Sequence, residues 1–273
     1  MMSCILALYL ALFSASVDAR GGRLDSPFDP HRAPSEWLES LDARSHADGV
    51  SAGQPQEDPD ALYAKRSDLA SARQATNIWA ARLLKNPRDF DAAWKLARAR
   101  YWLGGHATEG ERKELLEGGI AAGRTAVVVE PNRPEGHFWI AANMGALAES
   151  FGLRQGLKYR GDIRDELLAV LRIDPAFQQG SADRALGRWY YKVPGLFGGS
   201  AKKSEEHLRK SLTYNPNSTS SHYFLAETLL DAGRKEDARA EMQKVIDAPF
   251  DAEWGAEDRE WKDKARQRLA EIH

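Results

Sequence analysis

The chain has 273 residues, a formal net charge of −2 at pH 7 and a hydrophobic fraction of 42%. That length fits one large domain or two ordinary ones with a true core, and the near-neutral balance gives no pull toward nucleic acid or an acidic membrane surface. The single cysteine, Cys4, excludes an internal disulfide framework and a thiolate zinc cluster within one chain.

Residues 1–19 read as a signal peptide. Ile5 to Phe13 is an apolar core, and Val17-Asp18-Ala19 places small residues where a signal peptidase reads. The apolar run is too short to span a bilayer, and Cys4 precedes it, the wrong side for a lipid-modified cysteine. The expected location is therefore periplasmic or secreted. Residues 20–58 are rich in Pro, Gly, Ser, Asp and Arg and bury too little to offset ordering entropy, so a flexible lead is expected. Within it, Trp37, Leu38 and Leu41 are spaced for one short docking helix.

From residue 59 to 273 the pattern is helical. Leu69, Ala72, Thr76, Trp79 and Leu83 recur at three and four, as do Phe90, Trp94, Ala97 and Tyr101. Thr108 is placed to cap the next helix, with Glu111 completing a capping box. Gly118, Gly119 and Gly123 weaken that helix but permit close approach of a neighbour. The run from Pro134 through Ala148 is apolar nearly all round and should be covered on both faces. Asn143 is its uncharged polar side chain. It must either bond a neighbouring backbone carbonyl or face a ligand. Ile163, Leu167, Val170 and Leu171 make the following stripe. Ala182, Leu186, Trp189 and Tyr190 make the one after, with Arg184 and Arg188 a turn apart.

Prolines divide these runs. Asn86-Pro87, Glu130-Pro131, Asp174-Pro175, Asn215-Pro216 and Ala248-Pro249 are spaced 44, 44, 41 and 33 residues apart. Proline stops a helix and pushes the preceding residue out of helical geometry. The last spacing is close to the roughly 34 residues of a tetratricopeptide repeat (TPR). Leu225, Ala226, Leu229, Gly233, Ala238, Met242 and Ile246 fit its alternation of small and large packing positions. The fold class expected is an all-α, TPR-like solenoid of helical hairpins. The extra residues of the first three units are placed in extended turns at Gly104–Gly110, Phe151–Gly156 and Val193–Gly199. Phe197, in the third, either tucks into its own core or borders a groove or subunit contact. The terminal stretch 258–272, with Trp261, Ala265 and Leu269, is expected to cap the last repeat.

Catalytic constellations are missing. The histidines, at 31, 46, 106, 137, 207, 222 and 273, never fall three or four apart, so no helix offers a paired-histidine metal site. His222 takes a position where a TPR packs a large side chain. There is no thiol nucleophile in the exported protein and no Gly-x-Ser-x-Gly elbow. Gly195 to Ser200 lacks the Gly-Lys-Ser/Thr of a phosphate loop and follows no strand. The reading is of a protein that is not an enzyme, with no cofactor and no metal.

Four stretches carry a family likeness: Trp139 to Gly145, Ala185 to Tyr191, Val193 to Gly199, and Ser204 to Leu212. With them the segment from Asn86 to Ile246 resembles the T component associated with TRAP transporters, a periplasmic TPR-like family. The resemblance implies a helical repeat body with a central apolar cleft, oligomers such as trimers, and work beside a solute-binding protein on hydrophobic ligands. It places Trp139, Asn143, Trp189, Tyr190 and Tyr191 along or behind the cleft and Phe197 at its rim. A weaker resemblance runs to the regulator of microtubule dynamics proteins, from which the leader points away. The function expected is an exported accessory protein holding a hydrophobic small molecule, with a scaffold gripping a peptide or helix on its concave face as the alternative.

Overall fold

The computed structural model describes residues 57–272, which contain eleven α-helices and no strand. The leader and most of the lead segment, including Trp37 to Leu41, lie outside the described residues. In chain order the helices are α1 (Pro59–Ala64), α2 (Leu69–Lys85), α3 (Phe90–His106), α4 (Glu109–Val129), α5 (Pro134–Phe151), α6 (Leu153–Ile173), α7 (Phe177–Lys192), α8 (Ala201–Tyr214), α9 (Thr219–Asp231), α10 (Lys235–Asp247) and α11 (Gly255–Glu271).

The prolines fall where the helices stop. Each Asx-Pro joint ends one helix and supplies the start of the next. At Asn86 the backbone is extended, and the Asp89 carboxylate then accepts from the Ala92 N–H to cap α3. Ser218 does the same for α9, accepting from Ser221 N–H. The α4–α5 and α8–α9 joints share a further device. His137 and His222 each stand six residues after the joint proline, and Nε2 of each meets that proline's carbonyl, at 2.9 and 2.8 Å. Nδ1 of each meets a carboxylate on the following helix, Glu166 and Glu241, both at 2.5 Å. His222 is thus buried, as its repeat position suggested, but as a bracket between helices rather than as simple filler.

The hairpins are α3/α4, α5/α6, α7/α8 and α9/α10, with α1 and α2 stacked before them and α11 after. Their turns differ from the expectation. Only Ala107 and Thr108 separate α3 from α4, and only Gly152 separates α5 from α6. Gly152 has φ 80, a left-handed backbone that glycine takes without strain, so one residue suffices to reverse direction. The extra residues of these two units therefore lengthen helices instead of building a rim. Thr108 does begin α4, but its hydroxyl turns to the Glu111 carboxylate, 3.3 Å away, and makes no bond to the backbone. The third turn is long as expected, a 3₁₀ turn at Gly195–Phe197 with Leu196 fully in solvent.

Glycines on α4 let α5 approach. An added Cβ at Gly119 would lie 2.1 Å from Asn143 Oδ1, and one at Gly123 2.7 Å from Ile140. No residue of α5 from Pro134 to Ala148 is exposed, in line with its unbroken apolar run. The core divides in two. One cluster runs from Leu62 to Trp189 and the other from Leu208 to Ile272.

Candidate functional site

The first helix of each hairpin turns one stripe inward. On α3 it is Tyr101, Trp102 and Gly105, and on α5 it is Ala142, Gly145, Ala146 and Glu149. On α7 it is Ser181, Arg184, Ala185, Arg188 and Lys192, and on α9 Ser220 and Phe224. The three-and-four spacing of each set is what puts it on one helical face. Together these stripes enclose a concave cleft of about 1250 Å³, closed on the far side by Trp254, Glu257, Glu260 and Trp261. Its floor on α5 is made of small residues, which open space between the aromatic walls Trp139 and Trp189.

Closure of the cleft comes from the two ends of the solenoid. Arg66, just after α1, donates to both oxygens of Glu257 on α11, at 2.9 and 2.5 Å, and to the Glu253 carbonyl at 2.9 Å. Trp102 holds Arg66 in place by donating its Nε1–H to the Arg66 carbonyl at 2.8 Å. Beside this, His106 on α3 meets Glu260 on α11 at 2.7 Å. The hydrogen bond to Glu260 holds the His106 pKa above its ordinary value despite burial. Burial works to raise the Glu260 pKa, but the hydrogen bond to His106 and the charges of His106 and Lys264 together outweigh it and leave the carboxyl below its usual range.

The charges lining the cleft are mostly neutralised in place. Arg188 bridges three inner helices, donating to Glu149 on α5 at 3.0 Å and to Glu227 on α9 at 2.5 Å while lying 4.6 Å over the Phe224 ring. Burial opposes its charge, yet the two carboxylates raise its pKa above the ordinary arginine value. Asp258 accepts from Thr219 Oγ1 at 2.7 Å. Arg184, one turn before Arg188, is different. Burial pushes its pKa down to about 10, and the Tyr101 phenol is the group that opposes the fall.

At the start of α7 the backbone is left-handed at three successive residues, Gln178, Gln179 and Gly180, with φ 43, 58 and 78. For the two glutamines this costs roughly 1–2 kcal/mol each. The kink brings Gly180 against the backbone of Ser211 on α8, within 3.2 Å of where a Cβ would stand, and leaves both glutamine side chains on the cleft wall. No signal in the sequence marks this strain.

Of the six residues singled out from sequence, the cleft gathers Trp139 and Trp189. Asn143 lies fully buried behind the floor, where Nδ2 donates to the carbonyls of Ala97 and Trp139 at 3.0 and 2.7 Å. Tyr190 stacks on His207, and Tyr191 donates to Asp231 at 2.8 Å. Phe197 is half exposed on its 3₁₀ turn, under the Arg160 guanidinium. Tyr101, Arg184 and Arg188 were not chosen from sequence as site residues. Helical spacing put the two arginines together, but nothing local told which face turned inward. Among the described residues no group of three His, Cys, Asp or Glu is placed to hold a metal ion, and no helix is long and apolar enough to cross a membrane.

The fold defines a TPR-like helical solenoid. A crystal structure of a thermophilic TPR protein from Thermus thermophilus superposes with a TM-score of 0.58 at 21% identity, covering 80% of this chain and 98% of that one. Two crystal structures of MamA align at TM-scores of 0.46 and 0.45, with 15% and 14% identity, over 77% and 76% of this chain and 99% and 92% of theirs. No curated protein matches in sequence. The family model for regulator of microtubule dynamics protein 1-3 matches residues 57–197, just over half of the sequence, and the chain belongs to that family. The match stops where the first core cluster gives way to the second.

Proposed function

We propose that this protein is a non-enzymatic scaffold whose concave cleft grips a segment of another protein. The observation that carries the reading is the inward stripe shared by α3, α5, α7 and α9. It encloses about 1250 Å³, more than the roughly 300–1,000 Å³ of a small-molecule pocket. Along one wall stand Gln178, Gln179, Asn217 and Ser220, side chains that donate and accept. A peptide brings backbone donors and acceptors along its whole length, which such a wall satisfies.

The test is native mass spectrometry of the purified protein with a degenerate decapeptide pool, on wild type and Gly145→Leu. A Cβ at Gly145 meets nothing within 4 Å, so a leucine there starts from open space on the cleft floor. Peptide adducts on wild type and none on Gly145→Leu are expected. Adducts of equal abundance on both would overturn the reading.

A second reading keeps a hydrophobic ligand in the same space, favoured by the patch of Trp139, Ala142, Ala146 and Trp189. It is the role implied by the TRAP-transporter resemblance, with export, a solute-binding partner and an oligomer as its setting. Solvent extraction of purified protein that releases a stoichiometric lipid, with no peptide adduct, would replace the first reading by this one.

A further inference from the structure

We infer that the segment held in the cleft presents a carboxylate, from Asp, Glu or a free peptide C-terminus, to Arg184 on the α7 wall. The inference rests on the peptide-groove reading above and names the chemistry of its guest.

Arg184 lines the cleft and, among the described residues, has neither a hydrogen bond nor an ion pair. Its neighbours show how unusual that is. Arg188 is held by Glu149 and Glu227, Glu257 by Arg66, and Glu260 by His106. These carboxylates are engaged elsewhere, and none of them acts on Arg184. The Arg184 guanidinium opens to the cleft with no protein acceptor on its five donors, and its planar fork matches a carboxylate's two oxygens. Tyr101 stands across from it. Its phenol, partly exposed to the cleft and protonated at neutral pH, adds a second donor. On the opposite, α11 side, Glu257 is taken by Arg66, and Glu260 by His106 and Lys264, so that wall offers an acidic group no free donor and leaves Arg184 as its partner. A free fatty acid brings the same carboxylate but leaves the amides of Gln178 and Asn217 on the wall unmatched, so the peptide is the guest these groups fit.

The experiment is a cellulose-bound array of degenerate decapeptides in which one position is fixed as Glu, Gln, Lys or Leu. It is probed with the full-length protein as wild type, Arg184→Gln and Arg184→Lys, followed by solution affinities of selected peptides. On wild type the Glu peptides bind about 10-fold more tightly than their Gln counterparts, as a charge-assisted bidentate contact requires. Arg184→Gln removes that preference and leaves Gln-peptide affinity unchanged, while Arg184→Lys restores part of it. The preference shrinks as salt is raised. Equal binding of Glu and Gln peptides to wild type overturns the inference and leaves the peptide groove standing. The wild-type comparison needs no folded variant, so instability of Arg184→Gln does not blunt it. Binding of oleate with no array signal overturns the groove reading and this inference together.

Discussion

The two core clusters are built by different rules. The first, from Leu62 to Trp189, buries Trp79, Trp102, Trp139 and Trp189, and in it glycines bring α4 close to α3 and α5. Its polar bonding is incomplete. Trp79 Nε1, Arg98 Nε, Trp139 Nε1, Asn143 Oδ1 and Tyr159 Oη are buried without a protein partner. The second, from Leu208 to Ile272, is aliphatic, with Leu225, Leu229, Met242 and Val245 at its centre. Its buried polar groups are matched: Ser204 with Thr228 and Ser211 with Ser221, each at 2.9 Å, and His222 with Glu241. A buried polar atom without a partner costs about 1–3 kcal/mol. The first region tolerates such atoms because large aromatic surfaces and close helix contacts offset them. The second closes its hydrogen bonds instead. The cleft lies across the seam, with floor and Arg184 from the first region and Phe224 and the α11 wall from the second.

If the two clusters are separate cooperative units, Leu225→Ala should unfold them unequally. A buried leucine lost to alanine costs about 2–5 kcal/mol, and hydrogen exchange should speed in residues 201–272 well before residues 69–173 change. Uniform acceleration across both would dissolve the distinction. Next in size is a contrast of glycines. Gly119→Ala drives a Cβ into Asn143 and should cost about 1–3 kcal/mol, as overpacking does. Gly145→Ala enters open cleft and should gain about 0.5–1 kcal/mol from helix propensity. Thermal melts of the pair check this, and equal melting shifts would remove close packing as the mark of the first core. Arg66→Met should cost about 2 kcal/mol, since Glu257 loses its charged donors. The loss should appear as faster exchange in α1 and α11, the two ends it joins.

The smallest effect expected is that of pH on the clasp between His106 and Glu260. The His106 pKa is raised, so its contribution is complete below 6.5 and fades as pH rises through the raised value. The Glu260 pKa is lowered, so its contribution is complete above 4.5 and fades as pH falls through the lowered value. The clasp is thus full between pH 4.5 and 6.5 and weakens on either side. Both groups are partly exposed, which limits the change to about 0.5 kcal/mol. His106→Gln should flatten that part of the stability profile, and an unchanged profile would contradict the clasp.

The proline joints made the hairpin order legible, because a proline's effect on its own helix is local. The buried bonding of Asn143 was legible too, since its helix is apolar on every side. Gly104-Gly105 reads as a turn in the sequence but continues α3. Leu116 fills the space a Cβ at Gly104 would need, and packing outweighs the cost of glycine in the helix. What joins distant residues could not be read. The carboxylates that neutralise Arg188 stand 39 residues before and after it, and Glu257 stands 191 residues beyond Arg66. Only once those pairs are drawn does Arg184 emerge as unmatched.

The concave face as the place of binding is tested most directly by photo-crosslinking. A benzophenone amino acid is placed at Ala146 on the cleft floor or at Val128, which is exposed and outside the cleft. Each protein is irradiated with the decapeptide pool. The account predicts peptide crosslinks from position 146 and none from 128. Crosslinks from 128 with none from 146 would contradict it.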